Sequence, residues 1–278
     1  MSLKAETQII TAASQTQADV RVQRWREGKL YSVVDQVAEE QPIALTYQGI
    51  PYVVMMATPE HLDELGVGFT LSEGIVQNAK EIKSATLFNE AGALEVRLDI
   101  AADKFSALLQ QRRNLTGRTG CGVCGAETIE QVVRHPAPVG NGVTISADEL
   151  QRTLAALQAQ QPLNAQTGSV HAAAWCLPGK GIQVLREDVG RHNALDKVIG
   201  ALVCQNRDVT LGYAVITSRA SYEMVQKAAT VGITLLVAVS APTALAIRLA
   251  EEANLTLIGF ARPNQHVVYS HPERLATS

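Results

Sequence analysis

Aromatic residues are scarce in this 278-residue chain, at 4%. So few rings argue against the stacking platforms on which proteins hold single-stranded nucleic acid. Positive charge is not in excess either. The formal net charge is -3, so no broad basic field would gather DNA or RNA, although a local anion site stays open. No apolar run is long enough to span a bilayer; the most apolar, VGITLLVAVSAP at 231–242, reads as a buried strand. The opening MSLKAETQIITAASQTQADV is polar and lacks the apolar region of a secretory signal. These absences predict a soluble, cytoplasmic protein with neither nucleic acid nor membrane as partner. Cysteine is also rare, with four in all.

Two of those four share one short stretch. RTGCGVCG (118–125) holds Cys121 and Cys124 among Gly120, Gly122 and Gly125. In a reducing compartment such a pair is metal-binding or catalytic more often than a structural disulfide. A structural zinc site wants four ligands in two clusters, and no second CxxC or HxxxH follows. Cys176 and Cys204 sit in apolar surroundings that suit core filling. A thioredoxin-like redox pair sits at a helix start directly after a strand. Here the pair follows a helix and the turn-like LTGRTG, and its glycines disfavour helix nucleation. Arg112, Arg113 and Arg118 lie upstream, where cations favour a thiolate. A zinc clip, a disulfide-exchange pair and a mobile sulfur-carrying arm all remain open on the residues alone.

Along the chain, residues 1–20 read as a flexible leader. IALTYQGIPYVVMMAT (43–58) reads as a hairpin turning at Gln48-Gly49, after which Thr58 caps a helix with Pro59 in its first turn. Leu62, Leu65 and Phe69 form that helix's apolar stripe and Gly74 ends it. A second hairpin over 84–100 turns at Asn89–Gly92, and a helix over 104–115 leads into the cysteine loop. RHPAPVGNGV (134–143) marks a domain boundary, giving an α+β domain over 21–143 and a second domain over 144–278. Ser146 and Glu149 form a capping box. From 170 onward a hairpin gives way to strands alternating with helices, which predicts a three-layer α/β domain with a partly parallel sheet.

Three strand ends in this second domain share a chemistry: Thr217-Ser218-Arg219, Ser240 to Thr243, and Arg262 to Asn264. Open α/β sheets bind ligands beyond the carboxyl ends of their strands. Ser221 and Thr243 stand where helices begin, and helix N-termini favour phosphate. Arg219 and Arg262 can each grip an anion in bidentate fashion. Together they suggest a phosphate-bearing ligand.

GRTGCGVCG, HAAAW, EDVGRHNALDK, TSRASYEMVQKA, SAPT and IGFARP, in this order over roughly residues 35–275, resemble the formate dehydrogenase accessory sulfurtransferases, the FdhD family. The resemblance implies a cytoplasmic sulfurtransferase, working as a homodimer. It would take persulfide sulfur from a cysteine desulfurase onto Cys121 and hand it to the bis-molybdopterin guanine dinucleotide cofactor of formate dehydrogenase. Cys124 would assist. Ser218, Arg219, Ser221, Thr243 and the loop Phe260, Ala261, Arg262, Pro263, Asn264 and Gln265 would hold the cofactor, with GDP as its mimic. His192 and Asp188 would line the pocket, unless EDVGRH is a structural turn with an Asp–Arg pair. The resemblance further implies a C-terminal half similar to cytidine deaminase. RHNA and SRAS fall where a deaminase carries His-Ala-Glu and Cys-x-x-Cys, so Ala194 replaces the acid/base and Ser218 and Ser221 replace zinc thiolates. No zinc is expected. A thiol-disulfide oxidoreductase and a non-catalytic cofactor chaperone are the alternatives.

Overall fold

The computed structural model describes residues 15–90, 92–115 and 135–276, with side chains up to 110 in the helix that closes the second span. An antiparallel ribbon comes first. β1 (Gln17–Arg26) pairs with β2 (Lys29–Ala38) in unbroken register around Glu27 and Gly28, both at positive φ. The expected leader therefore becomes strand at Gln17, because Val20 and Val22 alternate with polar residues in the period of a strand. Residues 1–14 lie outside the described residues.

β3 (Gln41–Tyr47) and β4 (Ile50–Ala57) form the expected hairpin. Its turn uses Gln48 at φ 47° and Gly49 at φ 76°, whose twist matches that of the strands they join. α1 (Leu62–Ser72) follows and ends at Gly74, φ 65°. The hairpin of β5 (Ile82–Glu90) and β6 (Ala93–Ile100) leads to α2 (Ala102–Leu115). These strands make one sheet in the order β4-β3-β6-β5, on which α1 packs.

The second half runs β7 (Ile145–Ser146), α3 (Ala147–Ala159), α4 (Pro162–Thr167), β8 (His171–Leu177), β9 (Gly181–Asp188) and α5 (Arg191–Cys204). It continues with β10 (Tyr213–Ile216), α6 (Tyr222–Thr230), β11 (Leu235–Ala238), α7 (Ala244–Glu252), β12 (Thr256–Arg262), β13 (Gln265–Ser270) and β14 (Leu275–Ala276). The main sheet has the order β13-β12-β11-β10-β8-β9, with β10, β11 and β12 parallel. Strict alternation builds its two faces. Ala173, Trp175, Ala214, Ile216, Leu236 and Ala238 face the core shared with α5, α6 and α7. Ala174, Cys176, Tyr213, Val215, Leu235 and Val237 face α3. Helices on both faces give the expected three layers. Ser146 caps α3 by accepting from the Glu149 N–H at 3.1 Å, but the Glu149 carboxylate takes the Gly179 N–H instead of closing a capping box.

The core does not stop at the expected boundary of 143/144. One buried cluster runs from Ile43 to Leu257, because α1 of the first half lies directly against α5 of the second. Two glycines make that approach possible. A Cβ on Gly68 would overlap the Asp196 carbonyl, and one on Gly200 would overlap the Glu64 carbonyl. Backbone cannot yield there as a flexible side chain would.

Thr58 is not the cap of α1, and the helix opens at Leu62 after His61 at φ 53°. Thr58 is fully buried, and all of its polar groups are engaged by the second half. Its N–H donates to Asp188, its carbonyl accepts from Lys197, and its hydroxyl oxygen accepts from the Val189 N–H. Tertiary partners outcompeted the local cap.

Gly200→Ala should destabilise the protein by at least about 2 kcal/mol, since overpacking against rigid atoms sits at the costly end of its range. Gly179→Ala, in open space though at φ 73°, should cost less. Urea denaturation of the two variants and wild type measures both.

Candidate functional site

The carboxyl ends of β10, β11 and β12 stand side by side, and the loops beyond them are stitched together by backbone hydrogen bonds. Val239 N–H donates to the Ile216 carbonyl at 2.9 Å, Ala220 to Ala241 at 3.2 Å, Thr243 to Ala220 at 3.0 Å, and Phe260 to Ser240 at 3.1 Å. The expected positions Ser218, Arg219, Ser221, Thr243 and Phe260 therefore fall on adjoining loops, and Arg262 to Gln265 continue past them into the β12–β13 turn. Gly259 allows the tightest of these contacts: a Cβ there would come within 2.7 Å of Pro242 Cδ and 2.9 Å of Tyr269 Cε2.

The expected residues do different work on that rim. Arg219 and Arg262 are exposed, free to turn toward an anion. Thr243 spends its hydroxyl oxygen on the Ala246 N–H at 3.2 Å, capping α7. Ser218 is buried and donates to the Arg219 carbonyl at 3.0 Å. Ser221 begins α6 without a side-chain cap, and its hydroxyl instead donates to Glu223 at 3.3 Å. Phe260 is exposed at φ 49°, with the Arg262 guanidinium 6.0 Å from its ring centre, while Ala261 beneath is buried. Pro263 and Asn264 make the β12–β13 turn between Arg262 and Gln265, with Asn264 at φ 62° and its N–H donating to Gln151.

The start of α5 borders this rim. His192 Nε2 lies 3.0 Å from Glu223 Oε2, joining the first turns of α5 and α6. Burial pushes the His192 pKa below its ordinary value, against the opposing pull of Glu223. Asp188 does not pair with an arginine. Fully buried, it takes Lys197 Nζ at 2.6 Å, the Gly190 N–H at 2.8 Å, Asn193 Nδ2 at 2.9 Å and the Thr58 N–H at 3.1 Å. Asn193 also donates to the Met56 carbonyl. Burial drives the Lys197 pKa down while Asp188 resists the shift. The EDVGRHNALDK motif is thus largely a scaffold, with Arg191 and His192 half-buried beside Glu223.

A second buried cluster lies one turn further along α5. Asp196 accepts from Ser72 Oγ at 2.6 Å and from Lys227 at 2.9 Å, and Lys227 also meets Glu73 at 2.8 Å. Burial raises the Asp196 pKa. Burial works against the Lys227 charge too, but Asp196 and Glu73 outweigh it and hold that pKa above the ordinary value. Arg186 grips Glu64 with two bonds, at 2.6 and 2.8 Å. Sequence reasoning missed Lys197, Asp196, Lys227 and Glu223. The signal was present: Asp196 and Lys197 interrupt an apolar helical run, and buried charges need partners.

Cys121, Cys124 and Arg118 lie outside the described residues, as do the side chains of Arg112 and Arg113. The chain returns at His135, whose Nδ1 sits 2.8 Å from Glu252 at the end of α7. Val139 then bonds Ala253 and accepts from Asn254. Cys176 is buried in β8 and its thiol is pushed up to about 12 by burial. Cys204, at the end of α5, is pushed up to about 11 by burial and by Asp63 and Glu64. Buried Cys176 is therefore no nucleophile at neutral pH, and Cys204, although exposed, is disfavoured as a thiolate.

A model of the FdhD/NarQ family matches residues 38–276. The sulfur carrier protein FdhD of Xanthomonas euvesicatoria pv. vesicatoria is 54% identical over 254 residues, 91% of this chain and 90% of that protein. Its counterpart in Cupriavidus necator is 50% identical over 260 residues, 94% of this chain and 90% of that protein. The fold is also that of a crystal structure assigned to a formate dehydrogenase accessory protein from Desulfotalea psychrophila. The two superpose with a TM-score of 0.75 at 24% identity, over 94% of this chain and 100% of that one.

Two outcomes follow from this chemistry. Lys197→Met should cost about 3–5 kcal/mol, since it strands a buried carboxylate, and Asp188→Asn in the same chain should restore part of that loss. Calorimetric melting of the single and double variants measures it. Burial and a raised thiol pKa reduce both access and thiolate at pH 8, so Cys176 should alkylate at least about a hundredfold more slowly than an unperturbed cysteine, with the exposed Cys204 between the two. Timed iodoacetamide labelling of the folded protein with peptide mapping gives the rates.

Proposed function

The chain belongs to the FdhD/NarQ family, and from that premise we propose that it is a sulfur carrier serving the maturation of formate dehydrogenase. In this reading Cys121 is the carrier. Its thiolate attacks the terminal sulfur of a persulfide on a cysteine desulfurase, and the donor's own cysteine leaves as thiolate. The sulfur then travels as the Cys121 persulfide to the molybdenum of a bis-molybdopterin guanine dinucleotide, which is substrate here and not a resident cofactor. Cys124 assists, as second acceptor or by adjusting the first thiol. The chain acts in the cytoplasm as a homodimer, without zinc. Its α/β half is related to cytidine deaminases with the catalytic glutamate and thiolates replaced.

The rim beyond β10, β11 and β12 supports a nucleotide ligand most directly. Arg219 and the α6 start at Ser221 lie beyond the carboxyl end of β10, and Arg262 with the Phe260–Gln265 turn lies beyond the parallel part of β12. Guanidinium groups suit the diphosphate, and helix starts add partial positive charge. Thr243 contributes through its position more than its hydroxyl, which already caps α7. Tether length is compatible. Cys121 is fourteen residues from His135, a contour of up to about 50 Å. α7, which separates His135's partner Glu252 from the rim, is nine residues long, or about 13.5 Å.

The high thiol pKa values of Cys176 and Cys204 support assigning the sulfur chemistry to the loop pair. An oxidoreductase would need Cys121 and Cys124 equally, and a cofactor chaperone would need neither. After incubation with a cysteine desulfurase and cysteine, intact-mass analysis should find added sulfur on the wild type and on Cys124→Ala, but none on Cys121→Ala. Equal adducts on Cys121→Ala would overturn the carrier assignment. GDP should bind more tightly than guanosine in titration calorimetry. Arg219→Ala or Arg262→Ala should weaken GDP about tenfold or more, as a bond to a charged group is worth about 1.5–3 kcal/mol. Equal affinities for the two ligands would move the phosphate site elsewhere.

A further inference from the structure

The segments at and beside the strand ends carry a single carboxylate. Residues 189–192, 217–223, 239–245 and 259–265 hold Arg191, His192, Arg219 and Arg262, and against them only Glu223. A negative charge there works against phosphate, because like charges at short range repel. A ligand that binds beside it has to offer that carboxylate hydrogen-bond donors.

Glu223 is held ready for such donors. It stands in the first turn of α6, and its side chain is 51% exposed. His192 Nε2 lies 3.0 Å away, Ser221 Oγ 3.3 Å and an Arg191 guanidinium nitrogen 3.8 Å, and all three meet Oε2. Oε1 has no partner among the described residues. A carboxylate only accepts hydrogen bonds, so one oxygen anchors the group while the other is an oriented, open acceptor. Arg191 supplies a donor alongside. Its contact with Glu223 is beyond hydrogen-bonding distance, and its Nε has no partner among the described residues.

An acceptor beside a donor is the complement of a 2-amino-4-oxopyrimidine edge. That edge turns a ring N–H and an exocyclic amine toward the carboxylate and a carbonyl oxygen toward the guanidinium. Adenine presents an unprotonated ring nitrogen and a donor amine instead, and would face each protein group with its like. We propose that Glu223 and Arg191 read a 2-amino-4-oxopyrimidine edge of the ligand, with Glu223 Oε1 accepting from its N–H groups. Guanine and the pterin of the cofactor both carry this edge. The inference rests on the nucleotide reading of the rim and names the group that faces α6. β10, which leads into α6, and β12, which ends at Arg262, are separated by β11. Two strand spacings make that about 10 Å, a gap across which a base held at α6 can extend its phosphates toward Arg262.

Titration calorimetry on the full chain tests the assignment with two ligand pairs. IDP lacks only the 2-amino group of GDP, and lumazine carries an oxo group where pterin has that amine. In one pair or the other, wild type should prefer the amine at least about tenfold, because a site built around a buried or oriented hydrogen bond rejects the analogue that cannot make it. A preference for GDP assigns the edge to guanine, and one for pterin assigns it to the pterin. Glu223→Ala, native by circular dichroism, should abolish the preference and bind IDP as tightly as wild type or more so, since a repelling charge is gone. Arg262→Ala should weaken GDP and IDP by the same factor. If GDP binds but neither pair shows a preference, or the preference survives Glu223→Ala, or that variant loses GDP and IDP equally, the assignment is overturned and the nucleotide reading stands. A wild type that binds neither GDP nor pterin overturns both.

Discussion

One buried carboxylate holds the molecule in register. Asp188 ends β9, and it joins the end of β4 through Thr58, the turn into α5 through Gly190, and the body of α5 through Asn193 and Lys197. Such a charge is tolerated in the interior only because its oxygens are so fully met. Its bonds fix how the four-stranded sheet meets the six-stranded one. They also fix the first turn of α5, from which His192 reaches Glu223 at the start of α6. The start of α5, which borders the rim, is thus set by an ion pair buried away from solvent.

Close helix packing makes that bond set possible. Gly68 and Gly200 let α1 and α5 meet backbone to backbone, bringing Ser72 and Glu73 within reach of Asp196 and Lys227. Scaffold and candidate site therefore share helices but not side chains. Asp188, Asn193, Asp196 and Lys197 point into the seam, while Arg219, Arg262 and Phe260 stay at the surface. A motif such as EDVGRHNALDK combines both roles within a few residues, and only burial separates them.

Periodicity carried most of the secondary structure. The turns at Gln48-Gly49 and before Gly92, and the strand–helix alternation after residue 170, were legible because local backbone chemistry and apolar spacing agree there. Thr58 was misread because Thr-Pro is a good local helix start, while its actual partners lie some 130 residues away. The ribbon was missed in part because Val20 and Val22 sit next to a polar stretch that reads as leader. Asp188 was open to two readings, a pocket residue beside His192 or the partner of an arginine in a turn, and it is neither, because Lys197 has the reach along α5 to bury it.

By itself the sequence determined the three-layer α/β half, the rim of hydroxyls and arginines at its strand ends, and the family pattern that singles out Cys121. Those follow from period, from residue chemistry and from motif order, all of which are local along the chain. Tertiary structure alone decided that the two halves share one core, that Asp188 and Lys197 are a buried pair, and that Thr243 is spent as a cap. Each of these depends on which distant group arrives first within hydrogen-bonding or packing distance, and that is set by the meeting of α1 with α5.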